Sequence, residues 1–234
     1  MNIIMLSEKE YLKRFSVIQE PTVNAVRRVA KRIQPGQTEI EIAEILDKEL
    51  RGDSLSEHWY PILVHAGEMT GVPVSRRYHL PANDVVVHES DILILDVTPI
   101  DKTVWSNWAE TFAIGNDEFY NKLTQDVQAV VDAAYEYSST QAKTVGDIVG
   151  FCSKEIEKYN LRSIDSRKDF GHSIFQVPEG QTVDKTPLGD RLFLNEDYRN
   201  VKLSGIISIE PHLARLNSVD GKLYGAKQQR VLIF

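Results

Sequence analysis

Four ionisable side chains sit against apolar runs, where a charge is costly unless it is paired, protonated or bound to a ligand. Asp96 closes Ile92-Leu93-Ile94-Leu95, and Glu210 closes Ile206-Ile207-Ser208-Ile209 ahead of Pro211. His172 stands in Phe170-Gly171-His172-Ser173-Ile174-Phe175, and His79 in Tyr78-His79-Leu80-Pro81. Carboxylates and imidazoles hold divalent metals or move protons near neutral pH, so metal-assisted or acid–base chemistry is what these types offer. Taken singly, Asp96 or Glu210 reads first as a turn cap. The local signatures of other chemistries are missing: no phosphate loop, no G-x-G-x-x-G, no His-Glu-x-x-His and no G-x-S-x-G elbow. Cys152 shares a helical face with Ile148 and Phe151 and reads as packing, not as a nucleophile.

The elements that must position these groups follow from periodicity. Apolar residues recur at helical intervals from Lys9 to Ile33, with Pro21 expected to divide two helices. Gln34-Pro35-Gly36-Gln37 stops the helix, and Thr38 with Glu41 forms a capping box ahead of Ile42, Leu46 and Leu50, a helix closed by Gly52. Strand signals run from Trp59 to Ile114: Tyr60 to Val64, Asp84 to Val87, a buried strand from Asp91 ending at Asp96 or Val97, and Val104 to Ile114 as its hairpin partner. Helix returns over Glu118 to Tyr137 and Thr144 to Tyr159. The last quarter is short strands: Gly171 to Phe175, Leu203 to Ile209, around Leu213, and Arg230 to Phe234. Thr38-Glu39-Ile40-Glu41-Ile42 and Thr144-Val145-Gly146-Asp147-Ile148 share the form Thr-x-x-acidic-Ile at a helix start, 106 residues apart. Two related α+β halves sharing one sheet are the reading.

With 34 acidic against 27 basic residues in 234, the net charge of −7 argues against a dedicated nucleic-acid surface, which needs clustered positive charge. Arg27, Arg28, Lys31 and Arg32 read as the solvated face of a helix. A single cysteine excludes an intrachain disulfide and fits a reducing compartment. Nowhere do about 18 apolar residues run without a charge. A soluble, cytoplasmic protein without membrane or nucleic-acid partners is expected, with a homodimer as an open assembly state.

In this order the motifs resemble the catalytic domain of the pita-bread superfamily, which includes methionine aminopeptidases, prolidases, aminopeptidase P and creatinase. Ile33-Gln34-Pro35-Gly36-Gln37-Thr38-Glu39 is similar to the family's I-x-P-G-x-T-E, and Thr111-Phe112-Ala113-Ile114-Gly115 to its T-F-x-x-G. His79-Leu80-Pro81, the strand to Asp96, Gly171-His172, Ile209-Glu210-Pro211 and the closing Gly225 to Leu232 keep the expected order. The resemblance covers nearly the whole chain. It implies one pita-bread catalytic-type domain over residues 1–234, α+β in class, with two pseudo-symmetric halves sharing a curved antiparallel sheet backed by helices.

The resemblance also implies a dinuclear metal site of Asp, Asp, His, Glu and Glu. Asp96, His172 and Glu210 match the first, third and fourth ligands. The second, eleven residues beyond Asp96, falls on Asn107; the fifth falls on Gln229, or on Gln228 if the register slips by one. By the family pattern the two that are now amides are the carboxylates that bridge both metals. A neutral amide is a poor bridge, and imidazole with one carboxylate is a thin site for a transition metal. No cofactor is therefore expected beyond one weakly bound divalent metal. Ala109 and Glu110 replace the family's Thr and Arg, and Glu179 after Pro178 replaces its second pocket histidine.

These matches imply a metal-independent or weakly metal-dependent enzyme acting on a C–N bond of a small amine-, guanidino- or peptide-like substrate, as creatinase does with histidine acid–base chemistry. By analogy His79 would shuttle the proton, with His172 and Glu179 assisting, and Asp96, Glu210, Asn107, Gln229 and Trp59 would contact substrate. Asp96 and Glu210, freed from metal, would hold a cationic nitrogen, and Trp105 or Trp108 would narrow the pocket. The alternatives are a catalytically dead binding module and an Xaa-Pro aminopeptidase-like metallopeptidase with an atypical single-metal site.

Overall fold

A computed structural model describes residues 5–73, 80–185 and 191–234. Four helices come in two matched pairs: α1 (Glu8–Ala30) and α2 (Glu39–Gly52), then α3 (Glu118–Thr140) and α4 (Val145–Lys158), of 23, 14, 23 and 14 residues. Both short helices open with a reciprocal capping box, Thr38 with Glu41 and Thr144 with Asp147. Each box satisfies two orphan N–H groups of a helix start. The sequence repeat is therefore structural: each half carries a long helix, a short loop and a boxed short helix.

Pro21 does not divide α1, which runs through it. A proline in a helix leaves the carbonyl four residues earlier without its N–H, and that residue here is Val17. Val17 lies on the solvent side, 65% exposed, so water can take the place of the missing donor. The other face buries Phe15, Ile18, Thr22, Ala25, Val26 and Val29, and this packing carries the helix past the proline.

The first half's strands are β1 (Glu57–Ala66), β2 (Asp91–Asp101), β3 (Val104–Trp105) and β4 (Trp108–Ile114). All pair antiparallel, with β2 between β1 and the β3–β4 segment. The β1–β2 register slips on either side of Tyr60, next to Pro61, which has no N–H for the ladder. In the second half β5 (Arg162–Ser163), β8 (His212–Leu216) and β9 (Leu223–Lys227) form one antiparallel set. A second set contains β6 (Gly171–Ile174), β7 (Ile206–Ile209) and β10 (Arg230–Ile233).

Among the described residues no strand ladder joins the halves, and side-chain bonds link β4 to the end of β9. Thr111 Oγ1, on β4, donates to the Lys227 carbonyl and accepts from the Lys227 N–H, both at 2.7 Å. Gln228 Nε2 donates to the Thr111 carbonyl at 3.0 Å.

β2 is the central strand, and its side chains pack on both faces. Leu93, Leu95 and Val97 join α1, α2 and Trp59 in one core, while Ile92 joins α3, α4 and the second-half strands in another. Burial on both faces explains its unbroken apolar run. The strand does not end at Asp96, as the sequence led one to expect; it continues to Asp101, and Asp96 sits in mid-strand opposite Leu63 and Ala109. Alternation turns Asp96 to the side of Ile92 and Ile94, away from Leu95.

Asp84 to Val87 forms no strand of its own beyond a bridge at Val86 to Thr38. Its backbone instead bonds the loop before α2, with Gly36 N donating to Val87 O at 2.9 Å and Glu39 N to Val85 O at 3.1 Å.

Candidate functional site

Asp96 on β2, His172 on β6, Glu210 just after β7 and Asn107 in the break between β3 and β4 all face one cleft of about 300 Å³. Trp59, Tyr60, Asp165, Arg167, Arg191 and Phe193 also line it, with Arg191 over the Trp59 ring at 4.9 Å. Gly171 makes the approach of β6 to β7 possible: its φ is +146°, and a Cβ there would lie 1.9 Å from the Ser208 carbonyl oxygen. Only glycine fits, and it sets His172 one residue on. Asn107 is held by α1, since Gln19 Nε2 donates to its carbonyl at 2.9 Å and Gln19 Oε1 accepts its N–H at 3.3 Å.

The centre of this group is a lysine that sequence reasoning missed. Lys227, the last residue of β9, places Nζ 2.6 Å from Asp96 Oδ2 and 3.2 Å from Glu210 Oε2. The other oxygen of Glu210 takes 2.6 Å and 2.9 Å contacts from Asn107 Nδ2 and His172 Nε2. Burial pushes the Glu210 carboxyl up, but the Lys227 ammonium and His172 outweigh it and hold the group well below the usual carboxylate range. Burial likewise pushes Lys227 down, and Asp96 and Glu210 outweigh that and hold it above an ordinary lysine. His172 Nδ1 lies 3.0 Å from the Ser173 carbonyl, so both ring nitrogens face oxygen acceptors. A signal for Lys227 was present: in extended chain residues two apart share a face, and Lys227 stands two before Gln229.

Gln229, not Gln228, stands next to Asn107. Gln229 is fully buried behind the cleft, where Oε1 accepts from Ala109 N at 2.6 Å and Nε2 donates to the Asn107 carbonyl at 2.7 Å. One backbone donor and one backbone acceptor flank it, and an amide satisfies both, whereas a carboxylate would meet the carbonyl with like charge. Asn107 has the same inverted polarity, pointing N–H at Glu210 where a bridging oxygen would point at a metal.

The divalent metals of the implied site do not fit these residues. Both bridging positions present N–H donors, and an ammonium occupies the space between the two remaining carboxylates. Among the described residues no three His, Cys, Asp or Glu side chains converge as metal ligands. The carboxylates expected to hold a substrate's cationic nitrogen already hold one from the chain itself.

Other expected residues fall differently. Glu179 is exposed in a turn closed by Gln181 N donating to Pro178 O at 3.0 Å, and it does not line the cleft. The cause is upstream: Val177 N bonds Thr103 O at 2.9 Å, which carries the chain over the β2–β3 hairpin and away from the carboxylates. His79 lies outside the described residues. Trp59 lines the cleft and stacks on Trp105, with ring centroids 4.0 Å apart. Trp105 in turn tilts against the His172 ring at 5.8 Å and so backs the pocket. Trp108 does not narrow it; its ring lies under Arg27 at 5.4 Å, and its Nε1 donates to Glu110 at 2.8 Å. Glu110 also pairs with Arg27 at 2.9 Å, which ties α1 to β4. No described helix is long and apolar enough to cross a membrane.

The model of metallopeptidase family M24 matches residues 14–230. Among solved structures, an X-Pro aminopeptidase from Thermotoga maritima is similar at 17% identity and a TM-score of 0.74, over 98% of this chain and 60% of that one. A prolidase from Pyrococcus furiosus gives 18% and 0.75, over 99% and 62%. A methionine aminopeptidase from Rickettsia prowazekii gives 17% and 0.68, over 98% and 94%. The chain thus spans about three-fifths of the first two proteins and nearly all of the third. At these identities the likeness is one of fold. No curated protein matches the chain.

Proposed function

Because the chain belongs to metallopeptidase family M24, we propose that it keeps the family's cleft for a small peptide-like or nitrogenous substrate and acts on a C–N bond there without a dinuclear metal centre. The observation that carries this reading is the inverted polarity of the two bridging positions. Asn107 donates an N–H to Glu210, and Gln229 donates one to the Asn107 carbonyl, at the two positions where metals would need anionic oxygens. The names of the similar structures, prolidase and X-Pro aminopeptidase, support peptide-like substrates.

In this reading the charge on the cleft floor comes from Lys227. Asp96 and Glu210 engage two of its three N–H groups, and the third is left for the carbonyl oxygen of a substrate. His79 takes a proton from water as the hydroxyl adds to the carbonyl carbon, then returns it to the departing nitrogen. Trp59 and Phe193 supply apolar walls, and Arg167 and Arg191 stack on Phe193 at 5.1 and 5.0 Å.

A specific observation favours a second reading, a binding module without turnover: both nitrogens of His172 are engaged, so it offers no free lone pair to a substrate. An atypical single-metal peptidase is disfavoured by the ammonium between Asp96 and Glu210.

The test is release of amine from Xaa-Pro dipeptides, methionyl peptides and guanidino acids in chelator, followed by mass spectrometry and paired with metal analysis. Turnover in chelator that Lys227→Met and His79→Ala both abolish supports the enzyme. Melting shifts with these compounds but no product support the binding module. Turnover that appears only with added manganese or cobalt overturns both.

A further inference from the structure

We infer that Lys227 is a built-in cation standing where a metal ion would be held, and that the side chain of this one residue closes a latent cation site formed by Asp96 and Glu210. The inference rests on the metal-independent reading above and goes beyond it, because it names what keeps the metal out.

Three observations carry it. Lys227 Nζ lies within 3.2 Å of both carboxylates, with its side chain only 12% exposed, so the ammonium is seated between them instead of lying on the surface. Asn107 Nδ2 and His172 Nε2 engage the far oxygen of Glu210 at 2.6 and 2.9 Å, so that carboxylate is held with its other oxygen towards Lys227. The lysine backbone is also fixed independently of its charge, by the paired 2.7 Å bonds with Thr111. That clamp fixes the strand end from which the side chain reaches the carboxylates. Two buried carboxylates facing each other need a cation between them, and a tethered ammonium meets that need at no cost in ligand concentration.

Without the ammonium, Asp96 and Glu210 would repel across the vacated position, and any cation small enough to enter would bind there. Lys227→Ala removes the equivalent of n-propylammonium and leaves the backbone clamp to Thr111 in place. The experiment is a set of thermal melts on the whole chain, purified in chelator and exchanged out of it. For the unaltered protein, manganese, cobalt or zinc should shift the melting temperature by no more than about 1 °C, since no differential binding exists. Lys227→Ala should melt about 10 °C lower, and millimolar propylammonium or manganese should recover most of that loss. Lys227→Arg should hold near the parent value, and Lys227→Met, whose stem fills the space without charge, should stay low in propylammonium. If the alanine variant does not fold alone, refolding yields with and without propylammonium replace the melts, and equal yields overturn the inference. Failure of every cation to raise Lys227→Ala overturns the latent site while leaving the metal-independent reading standing. A metal-dependent rise for the unaltered protein overturns both.

Discussion

Restoring one carboxylate at a bridging position makes a sharp test of the site's polarity. In Asn107→Asp the group that donates to Glu210 at 2.6 Å becomes an acceptor at the same distance. The lost bond to a charged oxygen amounts to about 1.5–3 kcal/mol. Two like charges this close would add more, so one carboxyl takes up a proton instead. Together these set a deficit of about 3–5 kcal/mol at pH 8, or about 10 °C in melting temperature for a chain of this length.

The pH dependence follows from the two shifts. Glu210 in the parent is lowered from its ordinary 4.5, so its contribution is full above that value and is lost as pH falls through the lower folded value. In the variant a carboxyl is raised, so the penalty is full above the raised value and disappears as pH falls below the ordinary one. The gap between parent and variant should therefore be widest at pH 8 and close towards pH 4. Melts in chelator at pH 4, 6 and 8 measure it, with Asn107→Ala as the control whose deficit stays flat over the upper half of that range. Equal melting temperatures at pH 8, or a gap that does not change with pH, would refute the donor role given to Asn107.

Three further outcomes are expected. Thr38→Ala and Thr144→Ala each remove one side of a capping box and should lower stability by about 1 kcal/mol in urea unfolding, by similar amounts because the halves match. A tenfold disparity in effect would argue against equivalent roles. Gly171→Ala puts a methyl group 1.9 Å from the Ser208 carbonyl at a φ of +146°, and should displace β6 from β7 and abolish ligand-induced melting shifts. Retention of parent-like melts would show that β6 does not approach as closely as described. Cys152 is fully buried, and burial pushes its thiol up to about 12. Iodoacetamide at pH 8 should leave the native protein unlabelled and label it fully in urea, and rapid native labelling would contradict its place in the α3–α4 core.

The sequence by itself determined the architecture because the relevant signals are local and repeated. Capping boxes at Thr38 and Thr144, the unbroken apolar run of β2 and the order of short motifs each depend on a few neighbouring residues. The same signals brought Asp96, Asn107, His172, Glu210 and Gln229 to one region, since motif order fixes which strand ends meet. Local reading failed where a neighbour from elsewhere in the fold decides. Pro21 reads as a break until the packing of α1 and the exposure of Val17 are known. Glu179 reads as a pocket residue until Val177 is seen bonded to Thr103, which turns the chain away. Asp96 and Glu210 read as carboxylates waiting for a cation from solution. Only the tertiary structure shows that β9 delivers Lys227 between them, because 131 positions separate that lysine from Asp96 and the Coulomb attraction depends on distance in space, not along the chain.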